Sequence, residues 1–265
     1  MQRIDFLALP AAVVILMCSV LPPARAADHM NLDEGLPVTI EDAFPIPYRQ
    51  REVQALGQYE NVRDDPKGND LFIIEPRVEA GLLRNFQAEV GVPYRLGNAS
   101  DRDSGDVNIS GLYNFNAETL VLPAFALKAG VGVPFGRDSQ GAETILKGIV
   151  TKTFGETWEN RRVHLNAAWL HKFNRRTEDE RRDGYLIGIG YSQPVASHTV
   201  VVADLAREHQ IDEDREANLV EAGVRWQLTP LTVVSAGVGA GFLDESPRFR
   251  ALIGIQHSLT LLPLC

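Results

Sequence analysis

Residues 86–96 read FQAEVGVPYRL, and the alternation within this stretch is the main indication of the fold. Its apolar residues alternate with polar ones: Phe86, Ala88, Val90, Val92 and Tyr94 against Gln87, Glu89 and Arg95. A period of two places the two sets on opposite faces of a β-strand. The stretch therefore predicts a strand with one apolar and one polar face.

The same alternation recurs along most of the chain. We predict twelve strands, at 52–60, 72–82, 86–96, 107–115, 121–135, 142–154, 163–173, 185–193, 199–208, 218–228, 232–242 and 249–259. Segment 142–154 is apolar on both faces, so its orientation stays open. No window from 49 to 259 shows a helical stripe or the continuous apolar run of a membrane helix.

The strand lengths favour a membrane barrel. Most predicted strands exceed the usual five or six residues of a globular strand and approach the roughly 9–11 that a tilted strand needs to cross a bilayer. Long connections (61–70, 97–105, 136–141, 174–182, 209–216) alternate with tight ones (82–84, 116–118, 194–197, 229–230). We predict an all-β, antiparallel transmembrane β-barrel of about 12 strands, of the Gram-negative outer-membrane type. A soluble sandwich also alternates and remains the alternative.

Composition excludes several classes of protein. The chain has 265 residues, 45% hydrophobic and 23% charged, with a formal net charge of −9. Nucleic acid is not an expected partner, because phosphates bind to a basic surface. A disulfide scaffold is excluded by the presence of only 2 cysteines, Cys18 and Cys265.

The chain divides into four parts. Residues 1–26 carry Arg3, an apolar run and the Ala24-Arg25-Ala26 site of a cleaved signal peptide. Residues 27–48 show no clear strand and are predicted to form a plug or a periplasmic segment. The barrel is predicted at 49–259, and a C-terminal tail at 260–265. Export followed by a barrel predicts location in the bacterial outer membrane.

The polar faces of the predicted strands supply the candidate site. Charged side chains cannot face lipid cheaply, so in a barrel they point into the lumen. The candidate lumen-lining residues are Glu75, Arg77, Glu79, Arg95, Lys128, Arg162, Asp204, Glu221, Arg225, Arg248 and Arg250. They predict either a salt-bridge network that fills a narrow lumen or a polar constriction that selects solutes.

No catalytic or metal-binding constellation emerges. His164 and His171 are seven positions apart and face opposite sides of one strand. His257 and Ser258 are adjacent, so they also face opposite sides and cannot cooperate directly. We therefore predict that the protein is not an enzyme and has no catalytic residues, no metal site and no cofactor.

The strand–turn junctions resemble a known family. The order is Val92-Pro93-Tyr94, then Ser104-Gly105-Asp106, then Val133-Pro134-Phe135-Gly136, with Leu228-Thr229-Pro230-Leu231 and Asp244-Glu245-Ser246-Pro247 near the end. Over most of 49–259 this is similar to the bacterial outer-membrane transporter family known as the meta-pathway of phenol degradation proteins. The resemblance implies an outer-membrane β-barrel assigned to transport, without agreed catalytic residues.

These observations together predict a passive or gated outer-membrane conduit. Its expected partners are outer-membrane lipid, the barrel-assembly machinery and a small solute, with hydrophobic and aromatic compounds among the candidates. One alternative is a structural or lipid-facing outer-membrane protein without transport. A soluble periplasmic β-sandwich that binds a ligand is the other.

Overall fold

A computed structural model describes residues 27–63, 67–99, 103–136, 141–155, 160–173, 182–210, 215–243 and 246–259. The predicted signal peptide and its cleavage site, the predicted tail and Cys265 lie outside these residues. Within them, no helix is long and apolar enough to cross a membrane.

Thirteen strand segments form one closed antiparallel sheet. They are β1 (Arg51–Asn61), β2 (Asp70–Leu83), β3 (Phe86–Gly91), β4 (Tyr94–Gly97), β5 (Ser104–Asn114), β6 (Ala124–Gly136), β7 (Glu143–Phe154), β8 (Arg161–Lys172), β9 (Asp183–Ala196), β10 (Thr199–Gln210), β11 (Arg215–Thr229), β12 (Thr232–Gly241) and β13 (Phe249–Ser258). β1 pairs with β2 on one side and with β13 on the other, which closes the ring. The predicted antiparallel transmembrane barrel is confirmed.

The third strand of the barrel is interrupted, so the thirteen segments form twelve barrel strands. β3 and β4 both pair with β2 on one side and with β5 on the other. The break falls at Val92 and Pro93, inside the stretch predicted as one strand. Pro93 has no amide hydrogen to donate to the ladder, which accounts for the interruption.

Several strand boundaries differ from the prediction by a few residues. β6 begins at Ala124, where the sequence predicts a strand from 121 and a tight turn at 116–118. The connection is longer because Asn116 uses its side chain to bind Pro123 O and the N–H of Phe125. The ambiguous segment 142–154 is β7, and its inward residues include Lys147 and Thr151.

The strand connections define two ends of the barrel. At the proximal end, β1 begins, β13 ends, and short turns lie at 84–85, 197–198 and 230–231. The distal end carries the connections that follow β1, β4, β6, β8, β10 and β12. The chain thus enters and leaves the barrel at the same end, as an even number of barrel strands requires.

The outward face of the barrel is apolar. Its exposed side chains include Ile187, Ile189, Val201, Leu205, Val220, Val224, Ile253 and Ile255. Near the distal end, Tyr59 lies 4.9 Å from Phe72 and 6.5 Å from Phe249, measured between ring centroids. Such aromatic groups are typical of the interface between lipid and water.

Ile253 tests the assignment of this face to lipid. Its side chain is 65% exposed near the middle of β13. We expect Ile253→Arg to lower the free energy of unfolding in bilayers by about 2–4 kcal/mol, because a charge at the midplane loses its hydration. Ile253→Leu is the control and should change little. Equal stabilities in a denaturant titration would contradict the assignment.

Candidate functional site: the barrel lumen

The inward face of the barrel carries most of the predicted lumen residues. Seven of them are buried: Arg77, Glu79, Lys128, Asp204, Glu221, Arg225 and Arg250. Glu75, Arg95 and Arg162 are half-buried. Arg248 is exposed and precedes β13 at the distal end, where its N–H donates to Asn61 O.

Residues 27–48, which we call the luminal segment, lie inside the barrel. The segment starts at the proximal end, where the N–H of Ala27 donates to Pro230 O over 2.9 Å. The side-chain amide of Gln227 donates to Ala27 O over a further 2.9 Å. Leu32, Ile40 and most of their neighbours are buried.

The segment then follows the circumference of the inner wall. Its backbone N–H groups donate to side-chain oxygens of successive strands: Thr39 to Glu221 on β11 (2.8 Å), Ile40 to Asp204 on β10 (3.0 Å), Glu41 to Asn166 on β8 (3.1 Å), Ala43 to Thr151 on β7 (3.0 Å) and Ile46 to Gln87 on β3 (2.7 Å). An irregular chain buried away from water needs such partners for its amides. The wall supplies them.

Wall side chains also donate to carbonyl groups of the segment. Arg225 binds the carbonyl oxygens of His29 and Leu36, at 3.1 and 2.6 Å. Asn166 Nδ2 donates to Glu41 O at 2.9 Å, so this one amide binds both the N–H and the C=O of Glu41. The segment is thus bonded to the wall through both polar groups of its backbone.

Glycines in the wall make room for the segment. A Cβ atom added to Gly188 would lie 2.5 Å from the Cδ1 atom of Ile40, and one on Gly190 would lie 3.1 Å from its Cγ2 atom. On β11, a Cβ on Gly223 would lie 2.5 Å from the Cγ atom of Pro37. These distances leave no space for a side chain, so the wall and the segment are shaped to each other.

A buried ion cluster ties the segment to β6 and β7. Lys147 Nζ lies 2.6 Å from Glu34 Oε2 and 2.8 Å from Glu41 Oε1. Lys128 Nζ lies 3.1 Å from Glu41 Oε2 and 3.3 Å from Glu89 Oε2. Because two of the three carboxylates belong to the segment, its departure would leave Lys147 without either of these counter-ions.

A second ion cluster lies closer to the distal end. Arg250 contacts three carboxylates on the wall: Glu60 at 2.5 Å, and Glu208 and Glu221 each at 3.2 Å. Its Nη1 atom also donates to the hydroxyl of Thr39 in the segment over 3.2 Å. This arginine therefore neutralises wall carboxylates and holds the segment at once.

Carboxylates crowd together on β1, β2 and β3. Glu79 is fully buried and lies directly opposite Glu52 on one neighbouring strand and Glu89 on the other. Glu52 accepts hydrogen bonds from Gln50, Gln256 and Ser258, whereas Glu89 lies beside Lys128 and Arg77. This side of the lumen is the more acidic part of the described wall.

Asp42 joins two parts of the luminal segment through hydrogen bonds. Its carboxylate accepts the N–H groups of Leu32 and Phe44 over 3.0 and 2.9 Å, and lies 3.6 Å from Arg162. Burial raises the pKa of Asp42 to about 7, although Arg162 and the two amides oppose the shift. A raised pKa means tighter proton binding in the docked state, so the contribution of Asp42 to docking weakens as the pH rises from about 4 to about 7.

Other predicted residues form local pairs. Arg95 Nη1 lies 2.7 Å from Asp106 Oδ2, across the short β4–β5 contact. Arg77 lies 3.1 Å from Glu75 and donates to Glu34 O in the segment over 3.2 Å. These contacts are those of a salt-bridge network.

The histidines lie on the faces that the sequence indicates. His164 is buried on the inner face, with Nδ1 3.1 Å from Thr151 Oγ1 and Nε2 2.9 Å from Ser192 Oγ. His171, on the other face of β8, lies 2.8 Å from Asp183 and stacks beside Trp169. The Oγ atom of Ser258 donates to Glu52, whereas His257 lies beside Thr232.

Solved outer-membrane channels share this architecture. The COG4313 outer membrane channel from Pseudomonas putida F1 aligns over 86% of this chain and 100% of its own, with 14% identity and a TM-score of 0.60. The KdgM porin aligns over 78% of this chain and 99% of its own, with 11% identity and a TM-score of 0.54. The NanC porin covers 78% and 100%, with 11% identity and a TM-score of 0.53. The chain has the fold of an outer-membrane porin.

Similarity at these identities establishes the fold alone. No family model matches the sequence, and no curated protein matches it. Membership of the phenol-degradation transporter family therefore stays a prediction. What the sequence resemblance implied about architecture, an outer-membrane β-barrel, agrees with the structural neighbours.

Several residues of the site were not predicted from sequence. Lys147 lies in the segment that is apolar on both faces, so alternation gave no reason to select it. Glu34, Glu41 and Asp42 lie in the luminal segment, which has no periodicity at all. Their acidic character was the one available signal, and it matches the buried lysines and arginine that they contact.

The glycines offer a test of segment docking. We expect Gly188→Val to displace the segment, because overpacking against Ile40 costs about 1–3 kcal/mol. The measurement is the rate at which a water-soluble maleimide labels Val38→Cys, a buried position of the segment, with Cys18 and Cys265 replaced by serine. The rate should rise about tenfold, which corresponds to about 1.4 kcal/mol.

Gly148→Val is the matched control for this experiment. A Cβ at Gly148 meets only the carbonyl of Ala167, at 3.9 Å, so the segment should remain docked. If both valine variants label at the rate of the parent protein, the segment is not held by the fit against the wall.

Proposed function

We propose that the protein is an outer-membrane conduit for a small solute, and that the luminal segment closes it at rest. The segment contacts β11, β10, β8, β7 and β3 in turn, and this course around the wall is the observation that carries the proposal.

The arrangement of the segment supports a reversible closure. Apart from the main-chain hydrogen bond of Ala27 to Pro230, the hydrogen bonds and ion pairs described above join the segment to wall side chains and lie outside the strand ladder of the barrel. Releasing the segment would therefore leave the closed ring of strands intact. The wall would retain its own ion pairs, such as those of Arg250 with Glu60 and Glu208.

A cavity of about 690 Å³ lies where the segment leaves the lumen. It is lined by Phe44, Pro45, Pro47 and Tyr48 of the chain leaving the lumen, and by Arg84, Asn85, Asn114, Asn116, Ala117 and Glu118 of two proximal turns. This space gives the segment room to shift toward the proximal end. It also forms a vestibule for a solute on the same side.

The wall favours a water-soluble solute. The inner face offers ionised and amide side chains, including Lys128, Arg225 and Asn166, and ionised groups are poor partners for an apolar compound. We therefore propose a small polar solute, in place of the hydrophobic or aromatic compounds among the initial candidates.

The second candidate is a structural outer-membrane protein without transport. The observation that favours it is the dense network of buried ion pairs, which is also what a permanently filled lumen would contain. Current recordings in planar bilayers separate the two candidates, because only a conduit gives stepwise conductance once the segment is displaced.

We expect the parent protein to show rare openings and Gly188→Val to show frequent ones. The open probability should rise about tenfold, in line with the cost of overpacking beside Ile40. A variant that lacks residues 27–48 should conduct continuously. Gly148→Val should behave as the parent protein does. If Gly188→Val and the deletion variant are both correctly folded and silent, the conduit is wrong and the structural role is correct.

A further inference from the structure

The turn at residues 118–122 presents an apolar tip at the proximal end. Leu120 is 98% exposed, Val121 is 89% exposed and Leu122 is 47% exposed. The short turns at 84–85 and 197–198, on the same end, read Arg-Asn and Ser-His. The 118–122 turn therefore differs in chemistry from these neighbours.

Hydrogen bonds give this turn a defined shape. The N–H of Thr119 donates to Leu122 O, and the N–H of Leu122 donates to Thr119 Oγ1, each over 2.9 Å. The side chain of Asn116 closes the base of the connection by binding Pro123 O and the N–H of Phe125. The apolar tip is thus held out on an ordered support.

Lys152 joins one side of the turn to the outer surface of the barrel, whereas Glu118 also accepts hydrogen bonds from the N–H and Oγ1 of Thr153. On β7, Thr151 points inward and binds the luminal segment, so the next residue, Lys152, points outward. Lys152 Nζ lies 5.9 Å from the centroid of the outward Phe154 ring. The same Nζ donates to Thr119 O over 2.6 Å and to Glu118 Oε1 over 3.0 Å. These contacts place the turn beside the outer surface.

The outer surface beside the turn is the surface assigned to lipid. Three aromatic side chains are exposed there: Phe115 just after β5, Phe125 on β6 and Phe154 on the neighbouring β7. The paired Glu118 and Lys152 lie beside the Phe154 ring, where a lysine can keep its stem in apolar surroundings and its charge near water. The apolar tip is therefore continuous with the lipid-facing belt.

We propose that the 118–122 turn inserts Leu120 and Val121 into the lipid leaflet at the proximal end, which is the periplasmic leaflet of the outer membrane. The occupant is phospholipid, because three protruding side chains are too few for a stable protein interface of about 1,000 Å². The inference rests on the proposed outer-membrane location. It assigns an anchoring role to this turn.

Site-specific fluorescence tests the insertion. Leu120→Cys, with Cys18 and Cys265 replaced by serine, is labelled with the environment-sensitive dye NBD and reconstituted into phosphatidylcholine vesicles. Ser197→Cys, at an exposed turn on the same end, is the matched control. We expect the label at 120 to emit at shorter wavelength and to be quenched several-fold more by doxyl-labelled lipid than the label at 197. Aqueous iodide should show the opposite preference.

Two outcomes would overturn the proposal. The first is equal quenching of the two labels by lipid and by iodide. The second is protection of the label at 120 only at high protein density, which would identify a second copy of the chain as the occupant. Conductance of the Leu120→Ser/Val121→Ser variant is recorded in parallel. If the protein conducts while the label at position 120 stays in water, the lipid insertion is wrong and the proposed function stands.

Discussion

Closure of the β1–β13 pair is the constraint on which the rest of the molecule depends. Inside a membrane no water is available to an unpaired N–H or C=O group, so a sheet can cross only if it has no free edge. The continuous register from Glu52 opposite Ser258 to Asn61 opposite Phe249 meets that demand. Once the ring is closed, each residue must face either lipid or lumen, and the alternation of side chains decides which.

The polar lumen and the irregular segment within it explain each other. A barrel of twelve strands has a narrow lumen. Charges buried in that lumen need partners of opposite charge. Glu34 and Glu41 supply them to the lysines of β6 and β7. In return, wall side chains such as Glu221 and Asp204 accept the N–H groups that an irregular backbone cannot satisfy alone. Each part therefore supplies partners for buried polar groups of the other.

The sequence predicted what depends on local periodicity. Alternation in 86–96 indicated a strand, and the missing amide of Pro93 explains why that strand breaks in two. The position of the luminal segment was out of reach, because Thr39 finds its partner Glu221 182 positions later in the chain. Lys147 escaped notice for a different reason: β7 is apolar on both faces, so alternation did not distinguish its inward side. Contacts set by closure of the ring leave little trace in local pattern.

The luminal segment begins and ends at one mouth of the barrel, with Ala27 beside Pro230 and Arg51 opening β1. It is therefore an unthreaded loop, and topology allows it to slide out as a whole without any strand being undone. Because its C-terminal side continues directly into β1, the loop stays tethered after it leaves. A pull from the proximal side would act first on the hydrogen bond between Ala27 and Pro230. Pressure from the distal side would push the tethered loop toward the proximal end of the barrel.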